Sequence, residues 1–195
     1  YCTIGNYKDQ LIEAALDADD GPTGPNALKR RATAEAAILA LRRSGEPYVC
    51  LKGRASVTGA YDFLRIPPHF QSLDWEVEIG VVIGKTAWQV SAAEAMHHIA
   101  GYCVVNDITL RDRVFREDPK VMGTDWLQSK SHPGWLPVGP WLVPSWDIPD
   151  PQSLKPWLRL NGNLMQSGTA SEMVFGIGEQ ISYLSRYTRL QPGDL

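Results

Sequence analysis

The run Leu73-Asp74-Trp75-Glu76-Val77-Glu78-Ile79-Gly80-Val81-Val82-Ile83-Gly84-Lys85 sets two carboxylates two residues apart at the head of an apolar stretch. A strand has a side-chain period of two, so Glu76 and Glu78 project from one face and Trp75, Val77 and Ile79 from the other. Neighbouring carboxylates repel, and burial sharpens the repulsion unless a cation neutralises them or one keeps a proton. Spacing alone leaves two readings open. One is a strand with a solvated acidic face. The other is a site for a hard cation of the Mg²⁺ or Mn²⁺ kind, which takes carboxylate and water oxygens in octahedral geometry. A third carboxylate is available in Tyr102-Cys103-Val104-Val105-Asn106-Asp107-Ile108-Thr109-Leu110-Arg111-Asp112, where Asp107 ends an apolar run. Asn-Asp-x-Thr is also an ordinary turn or capping arrangement. Three carboxylates around a dication leave a local charge of about −1, so cationic residues are expected close by. Arg111 and Lys130 are the candidates; Lys130 sits in Trp126-Leu127-Gln128-Ser129-Lys130-Ser131, where a lysine is out of place for a solvated face.

Short elements must position these groups. Residues 1–4 read as a short strand, and Leu11, Ile12, Ala15 and Leu16 recur at helical spacing within residues 7–16, before an acidic, turn-rich loop at 17–25. Residues 33–43 are helix-forming, with Gly45 as the stop signal. Strands are predicted at 48–51, 75–83, 101–106, 138–143 and 157–160, and helices at 92–99, 110–115 and 172–186. Strands and helices do not alternate as a doubly wound parallel sheet requires. The prediction is an α+β, strand-rich fold with peripheral helices: a helical leading or lid segment over 1–45 and a β-rich, metal-binding core over 46–195.

The chain has 195 residues, 19 Lys+Arg against 22 Asp+Glu and a net charge of −3, which suits one soluble domain and gives no electrostatic reason to bind nucleic acid or an anionic membrane. No apolar run approaches the roughly 18 to 20 residues that span a bilayer, and the start does not resemble a signal peptide, so a cytoplasmic location is expected. Cys2, Cys50 and Cys103 are odd in number and form no CxxC spacing, so free, mostly buried thiols are predicted. The chain begins at Tyr1 without Met and stops at Pro192-Gly193-Asp194-Leu195, a turn signal, so a single catalytic domain cut at both ends from a longer polypeptide is expected.

Five runs in order, D-W-E-V-E-I-G-V-V-I-G-K, Y-C-V-V-N-D-I-T-L-R-D, the Lys130 segment followed by P-V-G-P-W-L-V-P, L-N-G-N-L-M-Q, and Y-L-S-R-Y-T-R-L-Q-P-G-D, resemble successive motifs of the fumarylacetoacetate hydrolase family. The opening G-N-Y-K-D-Q-L-I-E is similar to that family's Asn-Tyr-x-x-His-x-x-Glu motif. The resemblance implies a mixed β-roll, β-sandwich-like catalytic fold, usually a homodimer. It implies Glu76, Glu78 and Asp107 as ligands of Mg²⁺ or Mn²⁺, Lys130 as the lysine facing the metal, and Arg111 and Gln128 as substrate contacts. Lys52 lies where family members approach the substrate, although a solvated lysine reads equally well. The implied activity is on a 2-oxo acid or β-diketo acid through a metal-stabilised enolate, led by hydrolytic C–C cleavage of an acylpyruvate-type substrate. Hydration of a 2-oxo-enoate, decarboxylation and keto-enol isomerisation are the alternatives, and a non-catalytic dimeric binding protein is the alternative from another class.

Two departures matter. Gln10 stands where hydrolytic members carry the His that works with a Glu, here Glu13, and an amide cannot act as a general base; it could still hold a water for Glu13. The family's Gly-Thr-Pro or Gly-Ser-Pro substrate loop is also expected after Asp194. Among the histidines, His97 and His98 read as the cationic end of a helix, and His132 is a site candidate by its nearness to Lys130. The tryptophans read mainly as packing, with Trp126 and Trp135 as candidates to line a pocket.

Overall fold

The computed structural model describes residues 1–17, 21–116, 118 and 120–195, so residues 18–20 of the predicted acidic loop lie outside the described residues. Strand β1 (Cys2–Ile4) leads into α1 (Lys8–Asp17) and α2 (Ala27–Ser44), and β2 (Tyr48–Cys50) returns to pair antiparallel with β1. There follow β3 (Val57–Gly59), β4 (Leu73–Asp74), β5 (Val77–Ile83), α3 (Ala92–Ala95), β6 (Ile99–Asn106), β7 (Thr109–Leu110), α4 (Trp126–Lys130), β8 (Leu136–Val138) and β9 (Val143–Pro144). A hairpin of β10 (Trp157–Leu160) and β11 (Asn163–Ser167) precedes α5 (Ile177–Tyr187). The main sheet runs β3-β8-β6-β5, with β9 also on β6; β3 and β8 are parallel and the other pairs antiparallel. The fold is mixed α+β and strand-rich, and no sheet closes into a barrel among the described residues. No helix among them is long and apolar enough to cross a membrane.

The long β5/β6 ladder is the frame. Its two-residue period divides β5 as the sequence predicts. Ile79, Val81 and Ile83 pack with Tyr102, Ile177, Ile181 and Leu190, whereas Val82 faces the cluster of Cys103, Val105 and Leu136. Gly80 is required where β5 passes β6, because a Cβ there would lie 2.7 Å from both the Cys103 sulfur and a Val105 methyl. Ile177, Ile181 and Ser185 recur every four residues on α5 and form its buried stripe.

The helix expected over 92–99 is α-helical only over Ala92–Ala95 and gives way to a 3₁₀ turn over Met96–His98, and three predicted elements differ further from the structure. The helix expected over 172–186 begins only at Ile177, because residues 173–175 are drawn alongside the start of the chain: Val174 N donates to Asn6 O at 2.7 Å, and the Asn6 amide both donates to Phe175 O and accepts from Phe175 N at 2.9 Å. Tertiary hydrogen bonds there override helix propensity. The strand expected over 138–143 is split into β8 and β9 around Gly139 (φ +107°) and Pro140, which has no N–H to offer a ladder. The helix expected over 110–115 is one 3₁₀ turn at Arg111–Arg113.

Candidate metal centre

The β5/β6 register assembles the three carboxylates. Val77 pairs with Asn106, so Glu76 and Asp107 fall opposite each other one step beyond, and Asp107 N donates to Glu76 O at 2.9 Å. Opposed residues share a sheet face, and Glu78 joins them through the period of two. One oxygen from each of Glu76, Glu78 and Asp107 lies within 4.8 Å of the others. Asp107 is 1% exposed, so the solvated acidic face left open by the spacing is not what the chain builds.

Three cations interleave with the acids. Lys130, 1% exposed, places Nζ 2.6 Å from Asp107 Oδ2, 3.3 Å from both Glu76 oxygens and 2.6 Å from Thr109 Oγ1. Lys52 Nζ donates to Asp107 Oδ1 at 2.5 Å and to Ile108 O at 2.9 Å. Arg111 pairs with Glu76 at 3.0 Å and with Asp74 at 2.7 Å. Burial opposes ionisation of Asp107, but the ammonium groups of Lys130 and Lys52 outweigh it and hold its carboxyl below the usual range. Burial likewise works against the charge on Lys130, and Glu76 and Asp107 overcome it, so the ammonium form is favoured. Arg111 follows the same pattern, with Glu76 and Asp74 outweighing desolvation. Among the described residues Glu78, unlike Glu76 and Asp107, has no cation within bonding distance: burial first, then the charges of Asp107 and Glu76, push its carboxyl well above the usual range. Tyr7 stands nearby, and burial followed by the Glu78 charge pushes its phenol up to about 12.

These groups line a cavity of about 460 Å³, with Tyr7, Gln10, Arg54 and Trp126 also on its wall. The other predicted residues are placed less uniformly. Lys52, Glu76, Glu78, Asp107, Arg111 and Lys130 are brought together, and Gln10 lines the cavity with its side chain exposed. Glu13 is exposed on α1 and is not among the lining residues. Gln128 is also exposed and off the wall. It sits two residues before Lys130 on α4, about 200° around the helix, whereas Trp126 shares the Lys130 face. His132 stacks on Trp135 and Phe70, its Nε2 2.7 Å from Gln128 O, so it turns away from the site. Trp135 is buried with Ile108 and Leu110 rather than lining the cavity.

Sequence reasoning missed four contributors. Thr109 is wholly buried and accepts from Lys130, and Asp74, opposite Thr109 in the β4/β7 pair, orients Arg111. The Asn106 amide oxygen accepts from Glu76 N at 3.0 Å. Helix α4 was unpredicted, yet its signal was present: Asp125 caps it, accepting from Gln128 N at 3.0 Å, and its last turn delivers Lys130. The donor set fits a divalent cation, since it consists solely of carboxylate oxygens, the preference of Mg²⁺, Mn²⁺ and Ca²⁺, with no thiolate or imidazole among them.

Residues 1–195 match the family profile described as fumarylacetoacetate (FAA) hydrolase C-terminal. Over 150 residues the chain is 43% identical to the 2,4-didehydro-3-deoxy-L-rhamnonate hydrolase of Sphingomonas sp. (strain SKA58), covering 77% of this chain and 51% of that protein. It is 39% identical over 150 residues to the mitochondrial oxaloacetate tautomerase FAHD2A of Homo sapiens, covering 77% and 46%. Among solved structures, the 2-hydroxyhepta-2,4-diene-1,7-dioate isomerase of Mycobacterium marinum superimposes with a TM-score of 0.70 at 32% identity, covering 78% of this chain and 57% of that one. The chain spans about half the length of these curated relatives.

Proposed function

The chain belongs to the fumarylacetoacetate hydrolase family, and from that footing we propose that it is a divalent-metal-dependent enzyme that enolises an anionic 2-oxo or β-diketo acid. The observation that carries the reading is the gathering of Glu76, Glu78 and Asp107 with Lys52, Arg111 and Lys130 on one cavity wall. Three carboxylates and three cations cancel. A dication held by Glu76, Glu78 and Asp107 would supply Lewis-acid polarisation of a ketone and would leave this cluster net positive. A mono- or dianionic substrate is what such a wall attracts. Mg²⁺ and Mn²⁺ are the proposed ions.

Within this wall the side chains have separable tasks. Arg111 presents a guanidinium that is partly exposed and already oriented by Asp74, suited to a substrate carboxylate. Lys130 is held by Asp107 and Thr109 with its charge favoured, and serves to stabilise negative charge developing on a substrate oxygen rather than to take a proton in its resting form. Lys52 keeps Asp107 ionised.

Exchange of a substrate-carbon proton with solvent, without a water activated as nucleophile, is the outcome these residues support, because Gln10 on the wall has no basic group and Glu13 lies off it. Tautomerisation or isomerisation is therefore the leading reaction. Hydrolytic C–C cleavage is the second reading, favoured by the 43% identity to a protein named as a hydrolase. Protein stripped with chelator and reloaded with Mg²⁺ or Mn²⁺ is offered acylpyruvates and 2-oxo dicarboxylates while enol absorbance and products are followed. Metal-dependent enol-keto conversion without chain cleavage is expected, and Gln10→His is expected to add cleavage. Cleavage to acid plus pyruvate by the unaltered chain would favour the hydrolase, and no metal-dependent turnover would sink the enzyme reading.

A further inference from the structure

Cys2 and Cys50 face each other directly in the antiparallel β1/β2 pair. Both side chains are buried, and each thiol is the first influence on the ionisation of the other. Opposed residues in such a pair have Cα atoms about 4.5 to 5.5 Å apart, inside the range of about 4.4 to 6.8 Å that a disulfide spans. No change of register is needed for the sulfurs to bond. Burial does not seal the pair, because Cys2 lines the cavity and a small solute entering it meets that wall. Cys103 provides an internal comparison: it is equally buried, but its sulfur faces the Gly80 carbonyl at 3.8 Å.

We propose that Cys2 and Cys50 form a reversible dithiol/disulfide site whose oxidant is a hydroperoxide. One sulfur, as thiolate, attacks the terminal peroxide oxygen; the O–O bond breaks, the departing oxygen leaves as hydroxide or alkoxide and takes up a proton, and a sulfenic acid is formed. The second sulfur displaces that hydroxyl, so the S–S bond forms as the S–O bond breaks, and the second thiol's proton leaves with the hydroxide as water. The peroxide gains two electrons and the two thiols lose two. A dithiol reductant reverses the reaction by exchange. Lys52, which pairs with Asp107, follows Cys50 by two residues, so the bridge ties β1 to the segment that brings Lys52 to the carboxylates. The site does not depend on which reaction the carboxylate wall performs.

Reduced protein is exposed to hydrogen peroxide near neutral pH, alkylated under denaturing conditions, and read by intact mass and peptide mapping. The expected result is a mass about 2 Da lower before alkylation and two fewer alkyl groups after it than in the reduced control, a linked peptide pair containing Cys2 and Cys50, and full recovery with dithiothreitol. Cys2→Ser and Cys50→Ser each abolish the linked pair, and Cys103→Ser retains it. Mass gains of about 16 or 32 Da on single cysteines without a linked pair, a bridge to Cys103, or three thiols unchanged would overturn the proposal. The mapping of the unaltered chain decides the matter even if a serine variant does not fold.

Discussion

Replacing Glu78 by Gln removes a charge and keeps the shape, so it separates what burial costs this carboxylate from what a metal returns. In the metal-free protein, burial and then the Asp107 and Glu76 charges hold the Glu78 carboxyl well above its usual range. Unfolded, the same group ionises near its ordinary value of about 4.3. Between those two values the folded chain retains a proton that the unfolded chain has released. Stability from this group is complete below the unfolded value and is lost as pH rises through the folded one, with a slope of at most about 1.4 kcal/mol per pH unit. Glu78→Gln has no such proton, so in EDTA the variant should gain on wild type steadily as pH climbs from about 5, the two being closest near pH 4. Metal reverses the order. Mn²⁺ at about 100 times its dissociation constant adds ~2.7 kcal/mol to wild type, a rise in Tm of roughly 5–11 °C for a chain of this size, and nothing to the variant. Urea and thermal unfolding across pH, with EDTA and with Mn²⁺, read both effects. Parallel pH profiles in EDTA, or equal Mn²⁺ stabilisation of the two proteins, would refute the reasoning.

Two further substitutions probe the rest of the wall. Lys130→Met strips Asp107 and Glu76 of a buried ion partner; Lys52 still pairs with Asp107, so the loss should fall near the lower end of the range for such pairs, about 3 kcal/mol, and calorimetry in EDTA should show Tm lower by roughly 6–12 °C. An unchanged Tm would mean that the ammonium group is not paired as described. Thr109→Val removes an acceptor from that same buried ammonium and should cost about 1–3 kcal/mol in urea unfolding, with Thr109→Ser restoring most of it. Equal losses in Val and Ser would assign Thr109 to packing instead.

Glu76 and Glu78 were legible because a period of two is a local property, and the adjoining β5/β6 pairing needs no knowledge of the rest of the fold. Lys130 was legible as a misfit among neutral neighbours, although the helix that carries it was not recognised despite Asp125 at its head. Thr109 and Asp74 were not legible: each matters only because β4 pairs with β7, and that register is set by residues far apart in sequence. Gln128, which the resemblance implies as a substrate contact, is exposed, because helical rotation on α4 turns it away from the Lys130 face. Cys2 and Cys50 were read singly as free thiols, and so they are; their opposition appears only once β1 and β2 are paired. Of the long helix expected after residue 171, the first turns were lost to hydrogen bonds with Asn6 that no local pattern encodes.

The central claim, that the Glu76, Glu78 and Asp107 wall enolises a 2-oxo acid with a divalent cation, is tested most directly by proton exchange at the substrate carbon. The chelator-stripped full chain is reloaded with Mg²⁺ in D₂O and mixed with a 2-oxo acid whose C3 protons are followed by NMR. Those signals should fall faster than in buffer, with the enhancement absent in EDTA and in Glu78→Gln. Exchange at the buffer rate with Mg²⁺ present, or enhancement that persists in EDTA, would contradict the account.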